Sequence, residues 1–372
     1  MSLYEQLMNL VNNSKDDVFY YVDKELEDRK YRIFNYRLAS WKDFKHPGAL
    51  SCRGTMFDIT DIDNPFIACL PMDKFFNYEE GGVDHTKSKF IGYMDKLDGS
   101  LISSFICNDK LYLKSKTSLT SKQAVDAMKW LDLPENSEYK KEIYNLTKQG
   151  FTCNFEWVSP DNRIIVYYTK ENLIMLNYRG MIDGKIRLPK YYDKNSQIHL
   201  HSVIYKYSDL NIDEFVKSSR EEKNHEGYVC VLNDEQGKNY FVKTKNSWYV
   251  NLHHMKDLLS TDKNIVFAII NENIDDVKSL FANDKNFLKH ISDIEHKVIP
   301  IYNHIIKTVE DFYNENKELD RKSYAIKAKE ILDNRMSLAM NLYIGRGNNF
   351  KEYVIKNYKD LFDINDENKE VE

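Results

Sequence analysis

Near residue 253 the hydrophobic pattern changes its period, and this change constrains the fold more than any other feature of the chain. Before it, short apolar or alternating runs rich in Val, Ile, Tyr and Phe are separated by turn residues. Phe151–Val158 is followed by Ser159-Pro160-Asp161-Asn162 and then Ile164–Tyr168. Tyr228–Leu232 is followed by Asn233–Gly237 and then Tyr240–Lys245. Such runs, bounded by Pro, Gly and Asn, predict hairpins and antiparallel sheets. Two helices interrupt them: Tyr4–Asn13, and Ser121–Leu131, for which Ser118 or Thr120 is a candidate cap. After residue 253, Ile291, Ile294, Val298, Ile301, Ile305 and Phe312 recur with the spacing of one buried helical stripe. Pro300 lies inside that stripe and predicts a kink or a break. Tyr324–Tyr343 predicts a second long helix, stopped by Gly345 and Gly347. The expected architecture is α+β: an antiparallel-sheet domain over 1–253, then an all-α C-terminal domain over 254–372.

The bulk properties narrow the class. With 372 residues, each of two domains has enough chain for its own core. A hydrophobic content of 42% with 30% charged residues describes a folded chain rather than a disordered one. No apolar run approaches the roughly 20 residues of a membrane span. Met1-Ser2-Leu3-Tyr4-Glu5 lacks the basic-then-apolar form of a signal peptide. Five scattered cysteines without a CxxC pair predict reduced thiols in a cytoplasm and no zinc site. No membrane partner is expected, and a monomer is. The formal charge of −5 weighs against a broad non-specific grip on nucleic acid. Basic residues nevertheless cluster locally over Lys110–Lys122, and the acidic stretch Asp363–Glu372 reads as a frayed tail.

Lys96-Leu97-Asp98-Gly99-Ser100 joins the apolar run Phe90–Met94 to the run Leu101–Cys107, which reads as strand, turn, strand. A lysine on the lip of such a turn is a candidate nucleophile. Using it on a nucleotide requires cations or burial to free the amine, lysines or a metal at the phosphate, and carboxylates for metal and ribose. Alternation over Thr152–Val158 puts Thr152, Asn154 and Glu156 on one face and Cys153, Phe155 and Trp157 on the other. Lys243 and Lys245 fall side by side, and Glu226-Gly227-Tyr228-Val229 lies across a hairpin loop from them. Each also has an ordinary reading taken singly. Lys96 would be a surface turn lysine, Glu156 a paired structural carboxylate, and the two lysines a solvated edge-strand face.

In their order, Lys96-x-Asp98-Gly99, Phe155-Glu156-Trp157, Glu226-Gly227-Tyr228-Val229 and Lys243-x-Lys245 resemble the motifs of the covalent nucleotidyltransferase superfamily. Flanking blocks narrow the resemblance to the T-even phage tRNA-repair RNA ligases, the RNA ligase 1 family. These are Tyr31–Tyr36, Cys52-Arg53-Gly54, Met72–Asn77, Lys114-Ser115-Lys116, Asn162-Arg163-Ile164 and Ser247-Trp248-Tyr249-Val250. The resemblance runs from about Tyr4 to His253 and more weakly beyond, as at Arg321–Ala325. Leu97 stands where that family's phage member has an acidic residue.

The resemblance implies a nucleotidyltransferase domain of the ATP-grasp-like ligase kind. It implies Lys96 as the nucleophile that becomes lysyl-AMP, and Tyr36, Arg53, Lys74 and Phe76 as ATP contacts. Glu156 would hold the ribose, and Glu226 the catalytic Mg²⁺ (or Mn²⁺), with Asp98 and Gly99 beside the lysine. Lys243 and Lys245 would grip the phosphates, and Lys116 and Tyr249 would complete the nucleotide site. Asp275 and Asp276 match an acidic pair that binds a divalent ion; a pair in a helix's first turn equally complements the helix dipole. The implied substrate is RNA with 5′-phosphate and 3′-hydroxyl ends, a nicked tRNA above all, with an end-healing kinase-phosphatase as working partner. The expected location is the cytoplasm, that of a host if the gene is a phage's. The rivals are a DNA ligase or capping-type enzyme, and a non-catalytic module that binds single-stranded RNA.

Overall fold

The computed structural model describes residues 1–14, 18–85, 87–189, 193–259, 261–272, 274–282, 284–346 and 349–363. Gly347 and most of the acidic C-terminal stretch lie outside them. The chain forms two compact units, Met1–Asn251 and Leu252–Glu372. Sheets occupy the first and helices the second, which is the expected α+β class.

In chain order the strands of the first unit are β1 (Phe19–Leu26), β2 (Arg29–Tyr36), β3 (Thr55–Asp58), β4 (Phe66–Cys69), β5 (Phe76–Asn77), β6 (Lys89–Lys96) and β7 (Ser100–Cys107). They continue with β8 (Lys110–Lys114), β9 (Phe151–Val158), β10 (Asn172–Gly180), β11 (Ile186–Arg187), β12 (Lys206–Tyr207), β13 (Gly227–Asn233) and β14 (Asn239–Lys245). The helices are α1 (Leu3–Asn12), α2 (Lys122–Leu131), α3 (Ser137–Lys148), α4 (Gln197–Leu200), α5 (Ile212–Ser219) and α6 (Ser247–Leu258). One four-stranded sheet has the order β1-β2-β3-β4. Two five-stranded sheets have the orders β11-β10-β9-β7-β8 and β12-β6-β13-β14-β5. Among the described strands the pairings are antiparallel except β14 with β5, and a single parallel bridge joins Met175 to Ser202.

Alternation decides what each sheet covers. On β9, Cys153, Phe155 and Trp157 are buried against Tyr139 and Ile143 of α3 and Ala127 of α2. Thr152 and Asn154 point the other way and accept hydrogen bonds from the Leu70 and Met72 N–H groups. On β13, Tyr228, Cys230 and Leu232 pack with Phe215 and Val216 of α5. Helix α2 is capped by Ser121, whose hydroxyl accepts from the Ala124 N–H, rather than by Ser118 or Thr120. Ile164–Tyr168 forms no strand. The Ile165 and Val166 N–H groups are taken by the Asp98 carboxylate, so this segment bonds to a side chain instead of a ladder. All five cysteines are free and buried.

The second unit holds α7 (Asp262–Ile270), α8 (Ile274–Leu280), α9 (Lys285–Asn316), α10 (Arg321–Leu332), α11 (Met336–Tyr343), α12 (Phe350–Lys356) and α13 (Tyr358–Phe362). Ile291, Ile294, Val298, Ile305 and Phe312 are buried along α9, as their spacing requires, with Val309 added, while Ile301 of the expected stripe is only half-buried. The helix runs unbroken through Pro300. An interior proline costs about 3 kcal/mol. Each buried aliphatic or aromatic side chain of the stripe returns about 1.5–3 kcal/mol, so packing on both sides outweighs it. The helix expected over Tyr324–Tyr343 is instead two, α10 and α11. Asp333, at φ 47° and ψ −114°, turns the chain between them. Tyr324 bridges the break by donating from its hydroxyl to the Ala339 carbonyl at 3.1 Å.

Phe155→Ala, at the centre of the β9–α3 core, is expected to cost about 3–5 kcal/mol, read as a lower urea midpoint with little change in slope.

Candidate active site

Strand β6 ends at Lys96 in one five-stranded sheet, and β7 begins at Ser100 in the other. The Lys96–Gly99 turn therefore crosses between two sheets and does not close a hairpin. A bulge in β6 decides where Lys96 points. Val231 pairs with Gly92 but Leu232 pairs with Phe90, so Ile91 is an inserted residue. Phe90, before the bulge, packs on the α5 side. Met94, after it, packs with Val231 on the opposite side. One inserted residue exchanges the faces of everything downstream, and Lys96 lies two residues beyond Met94.

That face opens on a cavity of about 500 Å³, within the range of small-molecule sites. Arg53, Lys74, Lys96, Lys116 and Lys243 line one part of it; Met94, Leu176, Leu188, Val203, Val229 and Phe241 line another. Tyr36, Gly99 and Glu156 also reach the wall. Lys74 owes its place to a cage of rings, with its ammonium 5.5 Å from the Tyr36 centroid and 5.7 Å from those of Phe44 and Phe76. Phe76 thus supports Lys74 from behind and does not line the cavity.

Glu226 precedes β13 and is buried, at 3% side-chain exposure. Gly227 stands opposite both Lys96 on β6 and Lys245 on β14. Glu226 consequently meets both lysines: Oε2 lies 2.6 Å from Lys96 Nζ and Oε1 3.0 Å from Lys245 Nζ. Lys245 also sits 4.9 Å above the Tyr249 ring.

Asp98 is buried and fully engaged. Oδ2 accepts from the Ile165 and Val166 N–H groups, both at 2.7 Å, and Oδ1 accepts from the Tyr249 hydroxyl at 2.7 Å. Asn246 caps the start of α6 by accepting from the Tyr249 N–H, which aims that ring at Asp98. Asp98 and Tyr249 therefore latch the turn after Lys96 and do not reach the cavity wall. Gly99 donates its N–H to Glu156 Oε1 at 3.1 Å. A Cβ at Gly99 would drive into the Trp157 carbonyl, so β9 can approach the turn only past a glycine.

Three pairings were invisible as residue patterns. Arg179 binds Asp73 at 2.7 Å and the Pro71 carbonyl at 2.8 Å, which fixes the segment carrying Lys74. Tyr168 accepts from the Asp98 N–H at 3.0 Å. The Asn162 side-chain amide donates to the Trp157 carbonyl at 2.9 Å. The first two join residues 106 and 70 positions apart, and only a contact map carries such a signal. Asp275 and Asp276 belong to the second unit. Asp275 is 91% exposed and 3.6 Å from Lys278; the side chain of Asp276 lies outside the description. Among the described residues no group of three or more His, Cys, Asp or Glu could by itself hold a metal ion.

Crowding shifts the titrations. Burial pushes Lys243 down to about 8, helped by Lys74, Lys96, Lys245 and Arg53. Burial also lowers Lys116, with Arg53 and Lys74 adding to it. One Arg53 guanidinium nitrogen is buried with no hydrogen-bond partner among the described residues. Lysines depressed by burial and by neighbouring cations, with an orphaned guanidinium nitrogen beside them, describe a receptor for a polyanion. Burial lifts Glu156 to about 7, Lys96 opposing and Glu226 reinforcing the shift.

These shifts have opposite consequences for stability. Between about pH 4.5 and 7 the folded chain keeps a proton on Glu156 that the unfolded chain has released, so stability falls as pH rises. Between about pH 8 and 10.5 the unfolded chain keeps a proton that folded Lys243 has released, so stability rises with pH. Glu156→Gln is expected to flatten the first slope and Lys243→Met the second, in thermal melts at constant ionic strength.

A family model described as RNA ligase matches residues 51–249, and one described as T4 RNA ligase 1, C-terminal domain, matches residues 256–368. A protein of Thermovibrio ammonificans named as a candidate RNA ligase is 24% identical over 288 residues, 74% of each chain. Among solved structures, a candidate ATP-dependent DNA ligase from Aquifex aeolicus aligns at TM-score 0.44 and 17% identity, over 89% of this chain and 88% of that one. An archaeal ATP-dependent RNA ligase aligns at TM-score 0.46 and 11% identity, over 74% and 76%. With both parts matched, the chain belongs to the RNA ligase family and is an enzyme of the kind that joins RNA ends.

Proposed function

We propose that this ligase uses ATP and seals RNA through a lysyl-AMP intermediate on Lys96. The observation that carries the reading is the position of the Lys96 amine on the cavity wall, 2.6 Å from buried Glu226 and among four other cations. The apolar wall suits a base, Glu156 suits ribose hydroxyls, and the cationic wall suits a triphosphate. The Lys96 ammonium first gives a proton to Glu226, its freed Nζ attacks the α-phosphorus as the bond to pyrophosphate breaks, and the departing pyrophosphate takes the second amine proton. The 5′-phosphate of an RNA strand then displaces the lysine and takes the AMP. Finally a 3′-hydroxyl attacks that activated phosphate and AMP leaves. Such transfers depend on positioning and charge stabilisation, which is what the Arg53, Lys74, Lys116 and Lys243 side chains supply.

A divalent cation, Mg²⁺ with Mn²⁺ as substitute, fits this corner. The residue that would hold it is Glu226, a buried carboxylate from which the ion would displace one of the two ammonium groups that occupy its oxygens. Mg²⁺ characteristically takes one or two carboxylates and completes its shell with phosphate and water oxygens, and when bound it would neutralise charge at the α-phosphate. Asp275 and Asp276 are a separate, weaker candidate for a divalent ion.

The physiological substrate we propose is a tRNA broken in its anticodon loop, with ends prepared by a kinase-phosphatase and sealing carried out by a monomer in the cytoplasm. The match of the helical unit to the C-terminal domain of T4 RNA ligase 1 supports this over a DNA ligase or capping enzyme. Helix follows β14 directly, and the described residues after Lys245 contain no strand.

Incubation with labelled ATP and Mg²⁺ should give an acid-labile AMP adduct that Lys96→Ala abolishes. Glu226→Ala should slow its formation by about two orders of magnitude or more. Failure of the wild-type protein to form the adduct, or its survival in Lys96→Ala, overturns the reading. A panel of linear RNA, nicked tRNA and nicked duplex DNA, compared by sealing rate, tests the substrate.

A further inference from the structure

We propose that Lys114 is a positioning residue, whose buried amine ties the Gly54 and Lys116 carbonyls together and so sets the spacing of Arg53 and Lys116 along the triphosphate. The inference rests on the ligase reading above and adds a residue that does not line the cavity.

Lys114 ends β8 and is 0% exposed, among the largest fully buried side chains of the unit. Its Nζ donates to the Gly54 carbonyl at 2.8 Å and to the Lys116 carbonyl at 3.3 Å. No carboxylate forms an ion pair with it among the described residues; its charged-group neighbour is the Cys69 thiol, itself buried and pushed up. An unpaired ammonium in such a place costs several kcal/mol, and burial accordingly drives the Lys114 pKa down. Two carbonyls, those of Gly54 and Lys116, accept from this amine in place of a carboxylate. The amine is thus used as a clamp inside the fold, away from the cavity wall.

What the clamp joins matters. Gly54 has φ +92°, and a Cβ there would meet the Lys116 carbonyl oxygen at 2.8 Å and Lys114 Nζ at 3.4 Å. The two backbones therefore approach in direct contact, past a glycine in a conformation other residues rarely adopt. Gly54 in turn donates its N–H to the Phe34 carbonyl at 2.7 Å, which anchors it to β2. Arg53 and Lys116 adjoin or carry these carbonyls, and both line the cavity. They repel one another, as the contribution of Arg53 to the lowered Lys116 pKa records. Without the amine, two inward carbonyls would lose their partner, and the two cations would be free to separate.

The test compares wild type with Lys114→Met, which keeps the volume and removes the donors, and Lys114→Gln, which keeps two neutral donors on a shorter stem. Adduct formation is measured against ATP concentration, beside thermal unfolding. The expected result is a rise of about tenfold or more in the KM for ATP in Lys114→Met, the scale of one positioned charged hydrogen bond. The change in kcat should be smaller, and Lys114→Gln should recover part of the KM. Sealing of pre-adenylylated RNA, which needs no triphosphate, should fall less than sealing with ATP. A lowered melting temperature with unchanged KM, or loss of the fold in both variants, would mark Lys114 as merely structural and overturn the inference. Absence of an adduct in the wild-type protein would instead sink the ligase reading, so the two failures are distinct.

Discussion

Both oxygens of one buried carboxylate hold an ammonium group, and the rest of the site is arranged around that shared contact. Glu226 can meet Lys96 and Lys245 at once only because Gly227 pairs with both. The central position of β13 between β6 and β14 is therefore what brings the three side chains together. Losing either lysine leaves a buried carboxylate short of a partner, which costs on the order of several kcal/mol. Losing the carboxylate leaves the two ammonium groups beside further cations with nothing between them. The same contact keeps the Lys96 amine at the cavity wall.

Around this centre the protein keeps positive charge at a density that folding alone would disfavour. Lys243 and Lys116 are pushed toward neutrality by burial and by their neighbours. One Arg53 nitrogen is without a hydrogen-bond partner among the described residues. The cations stay close because uncharged or compensated groups restrain them: a ring cage around Lys74, the Arg179–Asp73 pair before it, and the Lys114 clamp between Arg53 and Lys116. A polyanion on this wall would offset the repulsion among these cations.

Much of this was legible in the residues. The β13–β14 hairpin is where the turn residues put it, and β9 separates a polar from an aromatic face as alternation demands. The helical stripe of α9 is buried at the predicted spacing. Eight of the residues singled out from sequence lie on one cavity: Tyr36, Arg53, Lys74, Lys96, Gly99, Lys116, Glu156 and Lys243. Others are near it in supporting positions. Phe76 cages Lys74, Lys245 pairs with Glu226, and Asp98 and Tyr249 latch the turn. Pairwise support of this kind has no periodic signature, because the partners come from distant segments. Local rules also missed the Asp333 turn between α10 and α11, where a stripe of apolar residues continues across a break in the backbone.

The sequence by itself determined which residue types are available, where strands give way to helices, and which side chains share a strand face. It did so because period, turn chemistry and motif order are local properties of the chain. Only the tertiary structure decided what the Lys96 turn connects and which way it faces. A turn that looked like a hairpin instead carries the chain from one sheet to another. One inserted residue, Ile91, swings Lys96 from the helix-covered face of its sheet to the cavity. Strand register is set by packing against every neighbour at once, and a shift of a single residue reverses it. No stretch of the chain read alone contains that information.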